Sequence, residues 1–513
     1  MATTTATIER PKAASRTAPV SRTSRFASLT ALGLLTLLSA AVLGYHPFAE
    51  DAGIYLAGVK YNLQPANFAF NAAFITHHMQ LSIFSDLIAG MVWMTHLSLD
   101  VCAFATYLLL LAASVCGAFS LSRRIFPTAA MQWAAVTTFA LTLSTPVAGT
   151  ALYLADPYLT GRSFITPLAL FATCALLDRR WLLSLACVLG AALFHPLMAI
   201  YLAAFLISLA IAQSDQPRWL IAMPLLAILT GGVITLQQHT VAESPAYISA
   251  VLTRTYFCLS QWQWYEDLGI LLPILLLAVL ARLMRGRWNS AATSLALAAI
   301  SAGVSVAMVS LLFVHPESHS HLLARVQVLR EFLYIYCFMF LMVGAVLGHW
   351  LLQARPWRWA IYIAILSCGL FAVQRSLYPA SPHLQLPGSQ PSSNAWEQAF
   401  LWVRNNTPRD SVFALDPHYI SAPGEDALGF RVTAERSSLA DYSKDGGAAA
   451  IFPSLAEAWQ LQTTAATNIN NISDTERRDR LTPLGVTWIV LSRNAVTTLD
   501  CPYANSAVRV CKL

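Results

Sequence analysis

The sequence predicts an α-helical polytopic membrane protein of about eleven transmembrane helices that ends in a small α/β domain outside the bilayer. Three observations carry that prediction. Of 513 residues, 56% are hydrophobic and only 11% charged, whereas a soluble domain carries roughly a quarter charged residues. Apolar runs recur from residue 27 to residue 377, most of them long enough to cross a hydrocarbon core of about 30 Å as a helix. After residue 377 the composition turns abruptly to that of an ordinary globular domain.

The tail 1–26 carries Arg10, Lys12, Arg16, Arg22 and Arg25, which places it in the cytoplasm because cytoplasmic segments retain positive charge. The first apolar run, 27–44, follows. A basic region before an apolar core also describes a cleaved signal peptide, but the long basic tail 1–26 and the lack of a clean small-x-small site before Tyr45 make a retained anchor the expectation. The further runs fall at 100–121, 131–153, 163–178, 181–194, 197–212, 218–236, 268–284, 291–314, 332–352 and 357–377. Threading the chain through them keeps Arg123/Arg124, Arg179/Arg180, Arg218, Arg282/Arg285/Arg287 and Arg355/Arg358 on the cytoplasmic side.

Two steps in this threading decide everything downstream. The stretch 78–97 is apolar enough to be mistaken for a span, yet Asp86 sits at its middle. A carboxylate at the bilayer centre costs several kcal/mol, about 3 on insertion scales, so an in-plane amphipathic helix is expected there. Residues 181–212 must form a hairpin that turns at His195-Pro196. The outer loop 45–99, the loop LADPYLTGRSF, the stretches 237–267 and 315–331 and everything after 378 then share the outer compartment.

Residues 378–393 (YPASPHLQLPGSQPSSN and its edges) read as a linker, and 394–513 as the outer domain. Asn394 with Glu397 looks like a capping box opening a helix that buries Trp396, Phe400, Leu401 and Val403. SVFAL reads as a strand, Ser473 with Glu476 repeats the capping signal, and GVTWIVLS reads as a buried strand closing an α/β layer. Seven of the nine cysteines lie in or beside apolar runs as small hydrophobes. Cys501 and Cys511 flank PYANSAVRV, a length that a hairpin-like loop closes with a disulfide in an oxidising compartment; two free thiols would be expected in a cytoplasmic domain.

The net charge of +6 is spread, the outer domain is about neutral, and no basic tract with interleaved aromatics occurs, so no nucleic-acid partner is expected. Walker-type phosphate loops, dinucleotide fingerprints and paired CxxC motifs are likewise missing from the sequence.

Directly after the first apolar run stands YHPFAEDAGIYLAGVKYN, with Glu50 and Asp51 adjacent, followed by the amphipathic residues Ile54, Tyr55, Leu56 and Val59 and then His77 and His78. A short first span, an acidic dipeptide outside and then in-plane helices resembles the GT-C superfamily of polyprenyl-phosphate-dependent glycosyltransferases. The C-terminal segment also looks like uncharacterised bacterial membrane proteins that carry W-x-x-A-x-x-W-x-x-x-N-T-P, matched by Trp396, Ala399, Trp402, Asn406, Thr407 and Pro408. The resemblance implies a bacterial cytoplasmic (inner) membrane enzyme of the cell envelope, with its N-terminus inside and its C-terminal domain periplasmic. It also implies a polyprenyl-phosphate-linked sugar donor and an acceptor of unknown identity.

Under that resemblance Asp51 is the candidate general base, and Glu50 an alternate base or a partner that orients a cation. Asp156 in the second outer loop joins them as a candidate for holding the acceptor or, with Asp51, a divalent cation such as Mg or Mn; an Asp-Pro turn is the plainer reading. Arg162 pairs with that aspartate or faces a phosphate. HSHLLARVQVLREF supplies Arg325, Gln327 and Arg330, with both arginines on adjacent faces of one helix and Glu331 beside them as a possible structural partner. His77, His78 and His195 complete the substrate-binding candidates. His315, His319 and His321 fit no metal-site spacing, and Arg436 and Lys444 read as solvated surface, with a membrane-facing pyrophosphate contact as the alternative. A transporter or flippase for a lipid-linked substrate, and a non-catalytic scaffold of envelope assembly, are the competing classes; a transporter predicts internal repeats and broken helices at the midplane.

Overall fold

The computed structural model describes residues 22–238, 242–389 and 393–513, with side chains from residue 26 onward. Arg10, Lys12 and Arg16 therefore lie outside the described residues, as do the side chains of Arg22 and Arg25. Every expected apolar run but 131–153 falls on helix along most of its length. Among the described residues six helices are long and apolar enough to cross a membrane: Phe26–Leu43, Leu99–Ile125, Pro196–Gln213, Ser290–Phe313, Leu322–Leu352 and Pro356–Leu377. This makes the chain a multi-pass membrane protein. Eleven full spans are not reached, because helices such as Ala129–Leu141 and Trp181–Phe194 hold only 13 and 14 residues, roughly 20 Å at 1.5 Å per residue.

The run 131–153 needs correcting. Its helix stops at Leu141, and Pro146 then pairs with Tyr153 in an antiparallel bridge, with Val147 N–H donating to Leu152 O at 2.8 Å. Thr145-Pro146 explains the stop, since proline supplies no N–H and pushes the residue before it to extended backbone. The apolar content that suggested a span is spent on a buried loop, where Leu143, Val147, Leu152 and Leu154 join the main core. Around that core the helix Phe332–Leu347 is buried on nearly all its faces, as befits a helix that is hydrophobic all round. Residues 78–97 do not form one helix: Phe84–Thr95 is a separate short helix, with exposed Asp86 accepting from Asn62 Nδ2 at 2.8 Å.

The C-terminal region builds one five-stranded sheet. Strands β1 (Val412–Ala414), β2 (Ser437–Ser438), β3 (Trp488–Ser492), β4 (Tyr503–Ala504) and β5 (Val508–Lys512) lie in the order β2-β1-β3-β5-β4. The first three are parallel, and β5 runs antiparallel to both β3 and β4. Strand alternation divides the core. Phe413, Trp488, Val490 and Val510 pack under the helix Ala395–Asn406, while Val412, Ala414, Ile489, Leu491 and Cys511 face the other layer. Both expected caps form: Asn394 accepts from Trp396 N at 2.9 Å, and Ser473 from Glu476 N at 3.2 Å. Leu401 is only half-buried; Ala399 takes the buried place instead. Cys501 and Cys511 are joined by a disulfide.

The sheet region docks on the first loop through its backbone. Glu50 N–H donates to Ala427 O at 2.8 Å, Gly429 N–H donates to Phe48 O at 3.0 Å, and Ala49 bridges Leu428. Glycine is required on both sides, since a Cβ on Gly429 would lie 3.0 Å from Gly53 Cα. Lys60 adds an ion pair with Glu435 at 2.8 Å.

Candidate active site

Where the docked region meets the helical body, a cavity of about 770 Å³ opens, lined by residues from seven separate stretches of chain. Glu50 and Asp51 enter it from the turn that starts the helix Ala52–Leu63. Asp51 occupies the N-cap position but makes no capping bond with its side chain. Its carboxylate is turned instead to two cations: Arg162 Nη1 at 2.6 Å and Lys444 Nζ at 3.1 Å. Lys444 also binds Glu50 Oε2.

Arg162 is set by local structure. It sits in the 3-10 turn Gly161–Phe164, opened by a capping box between Thr160 and Ser163. Gly161 lets that turn approach closely, because a Cβ there would meet Phe194 O at 2.7 Å. The Arg162 guanidinium reaches Asp51 with one nitrogen and Asp156 Oδ2, at 3.0 Å, with another. Asp156 is therefore held behind the arginine, 6% exposed, and does not line the large cavity. The expected pairing of Arg162 with Asp156 is present, and Asp51 joins it.

Charges in this cluster follow from their neighbours. Burial would raise the Asp51 carboxyl, but Lys444 and Arg162 together outweigh it and hold the carboxylate well below its usual range. Burial raises Asp156, against the pull of Arg162, and the nearby Asp51 charge adds to the rise. Burial would lower Lys444, but Glu50 and Asp51 more than offset it and raise its pKa above the ordinary lysine value. His78, edge-on to Tyr55 at 4.4 Å, is brought down to about 4 chiefly by burial, so it stays neutral at physiological pH.

The opposite wall departs from expectation. Arg325 and Arg330 do not share one helix: Leu322–Val326 ends at Gln327, whose φ of +55° is left-handed, and a 3-10 turn Val328–Glu331 follows. The break sends the two arginines to different tasks. Arg325 Nη1 lies 3.4 Å from Ile451 O. Arg330 stands over the Tyr256 ring, with its Nε buried and unpartnered. No carboxylate pairs with Arg330 among the described residues, so the expected structural pair with Glu331 does not form.

Of the other candidates, His78, His195 and Gln327 line the cavity. His195 also caps the following helix, accepting from Met198 N at 3.4 Å next to Pro196, which is the expected hairpin turn. His77 is not on the cavity wall; its Nδ1 meets Ala73 O within its own helix, and its ring packs on Phe452. His321 binds the Glu243 carboxylate at 2.6 Å. Arg436 is spent on structure, donating to the Thr407 and Arg404 carbonyls at 2.7 Å. Lys444, by contrast, sits at the centre of the site. Sequence reasoning missed Arg254, which donates to Ser443 O at 2.6 Å and Tyr442 O at 2.9 Å and so fixes the approach of Lys444. An arginine in the outer stretch 237–267 runs against the positive-inside trend, a signal that could have found it.

Mg and Mn sites are built from oxygens, with one or two carboxylates and several waters. Here the space between Asp51 and Asp156 is taken by a guanidinium, and that between Glu50 and Asp51 by an ammonium. Among the described residues no group of three or more His, Cys, Asp or Glu side chains is placed to hold a metal ion.

No protein-family model matches the sequence, and no curated protein matches it. Among solved structures the chain is similar to the archaeal oligosaccharyltransferase AglB from Archaeoglobus fulgidus, solved with an inhibitory peptide and a dolichol-phosphate. That similarity covers 92% of this chain and 70% of AglB, at 10% identity and a TM-score of 0.42. A likeness of this degree bears on neither activity nor site.

Proposed function

We propose that the chain is a membrane glycosyltransferase that moves a sugar from a polyprenyl-phosphate-linked donor to an envelope acceptor on the outer face of the bacterial cytoplasmic membrane. One observation carries the reading: Arg330, a guanidinium with no carboxylate partner among the described residues, shares a single cavity with the acidic pair Glu50-Asp51. Transfer of a glycosyl group from a phosphate asks for that combination, a cation for the leaving phosphate and a carboxylate for the incoming hydroxyl.

The acceptor hydroxyl attacks the anomeric carbon. The bond from that carbon to the phosphate oxygen breaks, and its electron pair stays on the phosphate, facing Arg330. The hydroxyl proton passes to a carboxylate. Glu50 suits this task better than Asp51. Both Asp51 oxygens are engaged, one by Arg162 and one by Lys444, and its depressed pKa makes it a weak proton acceptor. Glu50 meets a cation through one oxygen only. Asp51 then positions the cluster and supplies negative charge facing the cationic sugar of the transition state.

The test uses the product common to every such donor. Purified protein in lipid nanodiscs should bind undecaprenyl phosphate, and Arg330→Gln should weaken binding by about tenfold or more, the equivalent of one lost charge-assisted hydrogen bond. Arg409→Gln, at an exposed position, should leave binding unchanged. Equal affinity for undecaprenol, which lacks the phosphate, would refute the reading.

The break at Gln327 within the long apolar segment Leu322–Leu352 favours one competitor, a transporter of lipid-linked substrates. Release of polyprenyl phosphate from a sugar-loaded donor, with no vesicle gradient present, separates transfer from transport.

A further inference from the structure

We infer that Lys444 is a tethered counter-cation of the acidic pair, occupying the place a divalent ion would take, so that the site works without a metal. The chemistry assigned to the cluster rests on the transferase reading above; the ion-binding behaviour of the site does not.

The geometry comes first. One ammonium touches Glu50 Oε2 and Asp51 Oδ1, the second contact at 3.1 Å, while the remaining oxygen of Asp51 holds Arg162 at 2.6 Å. Three carboxylates thus face two cations, and the cluster keeps a single formal negative charge. A divalent ion added to it would leave a net positive charge and press against both built-in cations.

Lys444 is also held more firmly than a solvated lysine. Its side chain is 16% exposed. Its backbone N–H donates to Asp441 Oδ1 at 2.5 Å, and Asp441 N–H donates to Asp445 Oδ2 at 2.9 Å. Asp445 in turn takes both terminal nitrogens of Arg431, at 2.6 and 2.8 Å. Arg254 fixes the two carbonyls just before Lys444. All this brings a cation to the N-terminus of the helix Lys444–Ile451, where the helix dipole opposes positive charge. A lysine placed against the dipole, with its ammonium on two carboxylates, is a lysine placed for them.

Mn2+ binding to the purified full-length chain, read by electron paramagnetic resonance, tests the inference. Wild type and Asp51→Asn should bind the same background amount. Lys444→Ala should gain one bound Mn2+, and Lys444→Ala with Asp51→Asn should lose it again. Wild-type binding that Asp51→Asn removes would overturn the proposal, as would a folded Lys444→Ala that gains none. The wild type carries a second readout that needs no variant: its thermal midpoint should be the same in EDTA and in excess Mn2+, and a rise with Mn2+ that Asp51→Asn abolishes would also overturn it. Where transfer activity is measured, it should persist undiminished in EDTA. Activity that requires a divalent ion refutes the tethered cation alone, whereas absence of any transfer with every donor refutes the transferase reading and leaves the Mn2+ result standing.

Discussion

Removing Arg162 exposes how the cluster is balanced. In Arg162→Met the aliphatic bulk is roughly kept and the guanidinium goes. Asp51 retains Lys444, but Asp156, 6% exposed, loses the cation paired with it. The orphan must stay charged without a partner or take up a proton. For a carboxyl of ordinary pKa, about 3.9, protonation at pH 7 costs roughly three pH units at 1.36 kcal/mol each, about 4 kcal/mol. This sets a ceiling, and it agrees with the roughly 3–5 kcal/mol lost on breaking buried ion pairs. The sign is fixed by Asp156. Its pKa already lies above the ordinary value because of burial, and losing Arg162 raises it further. A raised carboxyl favours the fold when protonated, so the deficit is largest at neutral pH and closes as pH falls toward the unfolded value near about 3.9. Thermal unfolding in detergent, followed by tryptophan fluorescence from about pH 7.5 down to about pH 4.5, should show that closing gap. Adding Asp156→Asn should recover most of the loss at neutral pH. A deficit of the same size at both ends of the range, or no recovery in the double variant, would refute the account.

Three other outcomes are expected. Glu50→Gln should slow single-turnover transfer by about 10²- to 10⁴-fold with donor binding intact, while Asp51→Asn should also loosen the C-terminal region, seen as faster proteolysis. Gly429→Val should loosen it too, because its side chain would collide with Gly53 and Val432 at 3.0 Å; limited proteolysis and hydrogen exchange report it. Against acid, the Asp51 contacts should persist below the ordinary aspartate pKa: the folded value is depressed, so their contribution is complete above about 3.9 and is lost only as pH falls through the lower folded value. Resistance of the docked region to pepsin at about pH 3 checks this.

Much of the architecture was legible because local chemistry dictates it. Apolar runs became helices, and Asn394 and Ser473 capped where their side chains can reach the next free N–H groups. The readings failed where hydropathy says nothing about the backbone: at Thr145-Pro146, which ended a run that reads as a span, and at Gln327, which broke a run that reads as one helix. In the site, Glu50 and Asp51 were visible as an adjacent acidic pair just after the first apolar run, Arg162 as a partner for Asp156, and Arg330 as an arginine in a stretch expected outside. Lys444 was misjudged for a different reason. It meets Asp51 across 393 residues of chain, and no local pattern distinguishes such a lysine from one on a solvated surface.

The backbone of Glu50 bears on whether the acidic pair is an ordinary loop marker. Its φ is +51°, a left-handed conformation that a residue with a Cβ adopts at a cost of about 1–3 kcal/mol. A solvated loop has no reason to keep that strain, since glycine or asparagine would relieve it. Here the strain is over-determined by the docked region: Glu50 N–H is held by Ala427 O, Phe48 O by Gly429 N–H, and the Glu50 carboxylate by Lys444. Asp426 and Ala427, across the contact, are left-handed as well. The energy of docking therefore holds two strained turns face to face, and the turn on the loop side points its carboxylates into the cavity with Arg330. Two adjacent acids in a sequence are weak evidence for chemistry. Two acids on a strained turn that a distant part of the chain holds in place, opposite an arginine that no carboxylate pairs with among the described residues, are much stronger evidence, because each of those features costs stability that an inert loop would have no cause to give up.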